Sequence, residues 1–298
     1  MTTPLLLGLI GLALAQPVPA VLARMEWPYR APRAAVVLWQ ALALAAILAV
    51  VGAGLSASLW LVVHEGAPNP EPGAWRVALH VAFLALTLVV VFRTAWSMVS
   101  VTLEVRAVRR RHRTLVDLVA SRDASRRSVR ILDTSEPFAY CLPGMDARVV
   151  LSRGTVASLD PSELDAVLAH ERAHLRARHD LVLDAFTALH RAFPRVLRSE
   201  AALASTRVLV ELLADDHARR ASGTTPLARA LVKIGTRPAP AGALGATTTL
   251  VRRIERLEEE RPGRREAVAC YVMAAVVVVG PTVSLAVPWM SSAWATLS

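Results

Sequence analysis

Two histidines stand four residues apart in the segment His170-Glu171-Arg172-Ala173-His174. On an α-helix this spacing places both imidazoles on one face, close enough to bind one metal ion. Neutral imidazole is a good zinc ligand, and two of them leave room for a third ligand and a water molecule. Glu171 would lie beside the ion, where its carboxylate could take a proton from the water and pass it to a leaving amine. The pattern predicts zinc-dependent hydrolysis with Glu171 as the catalytic base.

A chance coincidence of two histidines and a glutamate is the competing interpretation of this segment. Composition alone produces a His-Glu-x-x-His match in roughly one chain in a hundred of this length. Burying three polar side chains without a metal ion would also cost free energy. The helix that would carry them is well marked, because Asp160 suits the N-cap, Pro161 suits the first helical position and Glu163 completes a capping box. We expect a half-buried helix that reaches about Arg178.

A third ligand has to come from another part of the chain. The candidate is Glu211, on a predicted helix from about Glu200 to Ser222. Asp215 follows one turn later on the same face, where it could hold a metal-binding histidine through its second ring nitrogen. The alternative is a solvated acidic face that continues through Asp216. The spacing alone does not choose between these two interpretations.

Other side chains could contact a substrate or the oxyanion that forms during hydrolysis. They are Tyr140, His217 and Arg253, with His179 and His190 as further histidines. The alternative for each is a surface or core position without a catalytic role. Cys141 is predicted to be a small buried apolar residue, because no basic activator lies near it in the sequence. The sequence predicts no organic cofactor site.

Two short strands are predicted at residues 128–132 and 148–152, with a strand end and turn at 141–145 between them. We hypothesise that 148–152 is an edge strand on which an extended peptide docks. The stretch 238–249, rich in proline, glycine, alanine and threonine, is predicted to be a flexible loop. The charged run 252–265 is predicted to be a solvated helix.

The composition is that of a mixed protein, part membrane-spanning and part water-soluble. Hydrophobic residues make up 54% of the 298 residues and charged residues 19%, with a mean hydropathy of +0.42. Four apolar stretches approach the length of a membrane span, at 4–23, 34–63, 77–91 and 267–287. Pro17 and Pro19 predict a kink in the first, and Arg93 interrupts the third. A secretory signal is the alternative for the first stretch, which lacks a basic start.

The distribution of arginines predicts the orientation of these spans. The first loop holds three arginines and one acid, the second holds two acids and no base, and five arginines follow the third span within 106–113. The positive-inside rule then places the first and third loops in the cytoplasm and both termini outside. The arginine cluster is interpreted as a topology anchor that touches anionic lipid, and the alternative is a nucleic-acid site. We expect no direct nucleic-acid partner.

The segments His170–His174 and Glu211–Asp215 together resemble the HExxH…ExxAD pattern of HtpX-like and CAAX-prenyl-protease-like gluzincins, over roughly residues 130–260. A domain placed between the third and fourth of four spans is similar to the BlaR/MecR-type sensor peptidases. The resemblance implies that His170, His174 and Glu211 bind one Zn²⁺, that Glu171 is the base and that Asp215 supports a ligand. BlaR/MecR sensors carry a penicillin-binding domain after the fourth span. About ten residues follow Val287 here, so we expect no such domain in this chain.

The predicted fold is a mainly α membrane protein, in which a cytosolic α+β zincin-like (minigluzincin) domain lies between transmembrane helices 3 and 4. The domain limits are 1–103 for three spans, 104–266 for the metallopeptidase domain, 267–288 for the fourth span and 289–298 for a short external tail. We expect a multi-pass protein of the bacterial inner membrane. Its substrate would be a cytosolic or membrane-proximal protein, cleaved either as a transcriptional repressor in signal transduction or for membrane-protein quality control.

Two other functions compete with the peptidase. A non-catalytic membrane regulator or scaffold could retain a structural zinc site, and a membrane-tethered DNA-binding regulator could use the basic charge. A structural zinc site is expected to have four protein ligands, whereas three ligands and a water molecule are typical of catalysis. The predicted ligand set therefore favours the enzyme.

Overall fold

The structure, a computed structural model, describes residues 2–64, 74–124, 126–193, 200–235, 244–258 and 263–297. The described chain is mostly helical with one small sheet, as predicted. Its helices are α1 (Thr2–Ala15), α2 (Pro17–Leu22), α3 (Pro32–His64), α4 (Ala74–Val119), α5 (Arg153–Ser158), α6 (Pro161–Ala177), α7 (His179–Ala192), α8 (Glu200–Ser222), α9 (Thr224–Gly235), α10 (Leu244–Glu258), α11 (Arg264–Pro281) and α12 (Val287–Leu297). A 3₁₀ turn, Trp27–Arg30, precedes α3, and one π-helical turn, Thr282–Ala286, joins α11 to α12.

Four helical stretches are long and apolar enough to cross a membrane, and each overlaps one of the four predicted spans. They are Thr2–Leu22, Pro32–Leu59, Ala74–Val119 and Arg264–Ser291. The predicted kink lies at Gln16, which separates α1 from α2 because Pro17 begins the second helix. The segment expected to be a short tail continues as α12 as far as Leu297.

The third apolar stretch differs from the short span that was predicted. Helix α4 continues through Arg93 and the arginine cluster and ends at Val119, a length of 46 residues. Residues 74–119 contain neither proline nor glycine, and arginine is among the better helix formers. An arginine interrupts an apolar run without interrupting a helix.

The sheet consists of β1 (Ser121–Arg122), β2 (Val129–Leu132), β3 (Ala139–Leu142) and β4 (Arg148–Ser152), in the order β1-β2-β4-β3. β2 and β4 are parallel, and β4 is antiparallel to β3. Because β4 is paired on both sides, the hypothesis that it is an edge strand is wrong. Its three central residues, Val149, Val150 and Leu151, are at most 1% exposed, as expected for an interior strand. β3 lies at the edge.

The chain divides into two compact units. One contains Met1–Ser100, Phe186–Ser205 and Arg264–Ser298, and the other contains Val101–Ala185 and Thr206–Gly263. The second unit holds the sheet and α6, and its core joins Val129, Val149 and Leu151 to Leu168 of α6 and Ala230 of α9. The limits 104–266 for a metallopeptidase domain remain a prediction.

Helix α6 begins as its sequence predicts. Asp160 is the N-cap, the reciprocal capping box with Glu163 is present, and Pro161 is the first helical residue. The helix ends at Ala177, where Arg178 adopts a left-handed conformation with φ of 52°. The metal motif therefore begins about two and a half turns after the start of the helix and ends about one turn before Ala177.

One loop prediction is wrong in part. Residues 244–249, expected to be flexible, begin helix α10, and residues 236–243 lie outside the described residues. The helix predicted at 252–265 is described only as far as Glu258, and residues 259–262 are also outside the described ranges. Its arginines are not solvated as predicted: the side chains of Arg253 and Arg256 are 15% and 14% exposed.

Candidate metal centre

The two histidines of α6 and Glu211 of α8 point their ligand atoms at one position. The Nε2 atoms of His170 and His174 are 3.2 Å apart. Glu211 places Oε2 at 3.4 Å from His170 Nε2 and Oε1 at 3.5 Å from His174 Nε2. All three groups offer a ligand atom within 4.8 Å of the others. The structure thus brings together the three residues that the sequence analysis selected as ligands.

These separations fit a single tetrahedral metal ion. Nitrogen and oxygen ligands about 2.1 Å from a tetrahedral ion lie roughly 3.4 Å from one another. The two Nε2 atoms are 3.2 Å apart, and each has a different oxygen of the Glu211 carboxylate nearby, Oε2 at 3.4 Å from His170 and Oε1 at 3.5 Å from His174. Two imidazoles and one carboxylate form a donor set suited to zinc, and they leave one coordination position for a water molecule or a substrate.

Asp215 and Arg253 contact the ligand candidates from the side that faces away from the metal position. Asp215, 1% exposed, has Oδ1 at 2.9 Å from His170 Nδ1, the ring nitrogen that faces away from the ligand position. Arg253 of α10 donates from Nε to Asp215 Oδ2 and from Nη2 to Oδ1, both at 2.7 Å. Its Nη1 is 3.2 Å from Glu211 Oε2. One guanidinium therefore contacts both Glu211 and Asp215 of α8.

The centre lines a cavity of about 420 Å³ within the second unit. β3, α6, α8, α9 and α10 all contribute side chains to its wall. Glu171 and the three ligand candidates face it together. A substrate could therefore reach the metal position and the proposed base from one space.

The model of peptidase family M48 matches residues 105–259, which is more than half of the chain. The chain belongs to peptidase family M48. It is therefore a metallopeptidase, and the three converging ligand candidates are consistent with metal dependence. No match was found among curated proteins or among solved structures.

The ionisation of the ligand candidates of this M48 peptidase is set by burial and by their neighbours. Burial raises the pKa of Glu211, but hydrogen bonding with His170 and the charge of Arg253 outweigh it and lower the pKa to about 2. Burial lowers the pKa of His174 to about 4. Near neutral pH, both side chains are in the form that binds a metal ion.

His170 behaves differently when no ion is bound. Burial lowers the pKa of its imidazole, but hydrogen bonds with Asp215 and Glu211 raise it to about 9. A protonated imidazole cannot ligate a metal ion, so binding at His170 must release a proton. We therefore expect the metal affinity of this M48 peptidase to fall as the pH is lowered.

Glu171 lies in a buried setting beside the ligands. Burial raises the pKa of its carboxyl group, and the thiol of Cys141 on β3 hydrogen-bonds with it. Burial and the nearby Glu171 raise the pKa of Cys141 to about 12, which keeps it a neutral thiol. Cys141 was predicted to be buried and apolar, but it is only partly buried, and its contact with the proposed base was not predicted.

The remaining candidate residues differ in whether they lie near the metal centre. Tyr140 lines the cavity, although its hydroxyl lies 2.8 Å from His112 Nε2 on α4. His179 is 6% exposed, and its Nδ1 is 3.0 Å from His174 Nδ1. His217 is not brought to the metal centre, and its Nε2 lies 2.9 Å from Arg176 Nη1. His190 belongs to the other compact unit.

Helical geometry explains the placement of His217. Six residues after Glu211 correspond to a rotation of roughly 240° around the axis of α8. Asp215, four residues after Glu211, is offset by only about 40° and stays on the metal-facing side. The rotation of 100° per residue on a predicted helix is therefore sufficient to exclude His217 as a neighbour of Glu211.

Proposed function

We propose that this M48 metallopeptidase is an integral-membrane zinc endopeptidase that hydrolyses peptide bonds in a cytosolic or membrane-proximal protein. The observation that carries the proposal is the convergence of two imidazoles and one carboxylate on one position, with Glu171 facing the same cavity. A metal ion with three protein ligands and an open fourth position is typical of a catalytic centre. This open position argues against the alternative, a non-catalytic scaffold with a structural zinc site.

Each residue of the centre has a distinct proposed role. His170 and His174 would hold zinc through Nε2, and Glu211 would hold it through its carboxylate. When bound, zinc supplies a Lewis acid that polarises the scissile carbonyl and lets water attack it near neutral pH. Glu171 would take the proton of the attacking water on its carboxylate and pass it to the leaving nitrogen. Its raised pKa suits it to carry that proton.

Two side chains would keep the ligands in place. Asp215 would accept the Nδ1–H of His170, which fixes the tautomer that presents Nε2 to the ion. Arg253 would fix the orientation of the Asp215 and Glu211 carboxylates relative to each other, since it contacts both. This role replaces the earlier interpretation of Arg253 as an oxyanion donor, because its guanidinium faces the two carboxylates.

A peptide substrate would bind along β3 (Ala139–Leu142) and not along Arg148–Ser152. β3 pairs with β4 on one side, and no described strand pairs with its other side. Its residues Ala139, Tyr140 and Cys141 line the cavity that contains the ligand candidates. An extended peptide added to that edge would run past the metal position.

The membrane setting is also part of the proposal. Four helical stretches are apolar and long enough to span a bilayer, and the arginine distribution favours a cytoplasmic peptidase domain, about 104–266, with external termini. We propose a location in the bacterial inner membrane. The resemblance to BlaR/MecR-type and HtpX-like proteins favours a protein substrate, either a transcriptional repressor or a damaged membrane protein.

Purification of the full chain in detergent allows a direct test. Zinc content and hydrolysis of an unfolded protein substrate would be measured for the unsubstituted chain, for Glu171→Gln and for the exposed control Glu255→Gln. We expect zinc in all three and activity lower by about 10²–10⁴-fold in Glu171→Gln alone. Equal activity in Glu171→Gln would remove this residue from the role of base.

A further inference from the structure

We propose that His179 is a positioning residue of the metal centre, which fixes the ring of the ligand candidate His174 by accepting a hydrogen bond from its Nδ1–H. The Nδ1 atoms of the two imidazoles are 3.0 Å apart. This role differs from the oxyanion contact that the sequence suggested for His179. The inference rests on the proposed zinc peptidase function and names a further residue on which that function depends.

His174 uses its two ring nitrogens on opposite sides. Its Nε2 faces the metal position, 3.2 Å from Nε2 of His170 and 3.5 Å from Oε1 of Glu211. Its Nδ1 faces His179. The two rings meet edge to face, with centroids 4.9 Å apart and an angle of 88° between their planes. His179 therefore contacts the ring nitrogen of His174 that a metal ion would leave free.

The short distance between the two Nδ1 atoms assigns a donor and an acceptor. Two ring nitrogens 3.0 Å apart share one proton, so one ring donates and the other accepts. A neutral imidazole that binds a metal ion through Nε2 carries its proton on Nδ1. His174 is then the donor, and His179 accepts on a bare Nδ1 and keeps its own proton on Nε2. The hydrogen bond thus holds each ring in a single tautomer.

The backbone between α6 and α7 holds His179 beside His174. Helix α6 ends at Ala177, Arg178 adopts a left-handed conformation, and His179 is the first residue of α7. The amide of Leu181 donates to the carbonyl of Arg178 at 2.9 Å, which closes the turn. Because His179 is only 6% exposed, water does not compete for its ring nitrogens.

His179 acts through His174 and not on a substrate. Among the described residues that line the cavity of the metal centre, His174 is present and His179 is not. A group outside the cavity wall does not reach a scissile bond inside it. The ring of His179 can, however, set the direction in which Nε2 of His174 points into that cavity.

The two histidine ligand candidates have partners of different charge. Nδ1 of His170 is 2.9 Å from Oδ1 of Asp215, a carboxylate that Arg253 also contacts. Nδ1 of His174 meets the imidazole of His179, which accepts without a negative charge. A carboxylate partner raises the basicity of a ligating imidazole as well as orienting it. His179 therefore supplies orientation with a smaller effect on the basicity of its ligand.

Substitutions that keep, move or remove the acceptor atom test this role. In His179→Asn the amide oxygen stands two bonds beyond Cβ, as Nδ1 does in histidine, whereas in His179→Gln it stands one bond further out. His179→Leu removes the acceptor. His217→Leu is the control, since His217 contacts Arg176 and is not brought to the metal centre.

Zinc affinity of the full chain in detergent is measured by competition with a chromogenic chelator, and the visible absorption of the cobalt(II)-loaded chain reports the ligand geometry. We expect zinc affinity to fall by about 10–100-fold in His179→Leu and in His179→Gln. His179→Asn should bind zinc several-fold more tightly than His179→Gln, and His217→Leu should bind it as the unsubstituted chain does. The cobalt(II) absorption bands should shift in His179→Leu and return in His179→Asn.

Thermal unfolding of the metal-free chains separates positioning from a merely structural role. A residue that only stabilises the fold would change zinc affinity in proportion to stability and would not distinguish His179→Asn from His179→Gln at equal stability. Should His179→Leu fail to fold, the comparison of His179→Asn with His179→Gln decides the question alone, because both carry the same amide group.

The possible outcomes separate this inference from the proposed function. Undiminished zinc affinity in folded His179→Leu, or equal affinities in His179→Asn and His179→Gln, overturns the positioning role and leaves the peptidase intact. Loss of affinity in His179→Gln with recovery in His179→Asn, in a chain that hydrolyses no peptide bond, supports the positioning role and overturns the proposed function.

Discussion

Arg253 holds both oxygens of the Asp215 carboxylate at 2.7 Å, through Nε and Nη2. Two parallel contacts fix the plane of a carboxylate more firmly than a single charge can. Because Asp215 is 1% exposed, water does not compete for its oxygens. Helix α10 thereby determines the orientation of a residue that in turn contacts a proposed metal ligand.

Removing the charge of Asp215 should weaken zinc binding. We expect Asp215→Asn to reduce zinc affinity by about 10–100-fold, because a neutral amide is a weaker acceptor for the Nδ1–H of His170 and cannot accept both contacts from Arg253. Asp216→Asn is the matched control, since Asp216 pairs with Arg256 at 2.6 and 2.9 Å, apart from the ligands. Competition with a chromogenic chelator measures both affinities. Equal losses in the two variants would contradict the role assigned to Asp215.

Arg253 should be required for catalysis, with lysine only a partial replacement. We expect Arg253→Ala to lower kcat/KM by about 10–100-fold, because Asp215 and Glu211 lose the group that aligns them. Arg253→Lys should recover part of the loss, since an ammonium retains the charge but not the paired contacts. Arg256→Ala, one turn further along α10, should keep most of the activity. Full activity in Arg253→Ala would show that the alignment is not needed.

Lys233 should stabilise the second compact unit, Val101–Ala185 and Thr206–Gly263, which we call the peptidase unit, and the stabilisation should depend on pH. Its Nζ is 2.6 Å from Glu163 Oε2, and this hydrogen bond, opposed by burial, lowers the pKa of Glu163 from its ordinary 4.5. A lowered pKa means that the stabilisation is present above pH 4.5 and is lost as the pH falls through the folded-state value. We expect Lys233→Met to cost about 1 kcal/mol at pH 7, because Lys233 is 40% exposed.

Thermal unfolding of the full chain at several pH values measures this effect. The difference between Lys233→Met and the unsubstituted chain should shrink as the pH falls below 4.5. Lys233→Arg keeps the charge and should retain most of the stability. A difference that does not change with pH would rule out the ion pair as its source.

The orientation in the membrane can be tested with reporter fusions. Alkaline phosphatase, which is active only outside the cytoplasm, should be active when fused after residue 298 and inactive when fused after residue 119. The arginines within 106–113 are the physical reason, since they favour the cytoplasmic side. The reverse pattern of activity would place the peptidase unit outside the cytoplasm.

The capping residues in the sequence predicted the start of α6, the helix that carries the metal motif. Asp160, Pro161 and Glu163 mark its start, and the capping box is present in the structure. A helix from about Glu200 to Ser222 was also predicted, and α8 has these bounds. The four apolar stretches were also visible in the sequence, because helix length and hydropathy depend on consecutive residues.

Features set by tertiary packing were harder to predict. Arg253 meets Asp215 across 38 positions of sequence, and a charged run gives no sign of which distant acid it will contact. The order β1-β2-β4-β3, which leaves β3 at the edge, depends on how four short strands pair. The contact of Cys141 with Glu171 joins β3 to α6, and the residues of a short strand give no sign of which helix the strand will contact.

The most direct test of the account is X-ray absorption at the zinc edge of the full chain purified with its metal. We predict about one zinc ion per chain, with nitrogen and oxygen ligands at about 2.0–2.1 Å that include two imidazoles. Glu211→Ala should lose most of this zinc, because one of three protein ligands is removed. A sulfur ligand at about 2.3 Å, or undiminished zinc in Glu211→Ala, would contradict a centre formed by His170, His174 and Glu211.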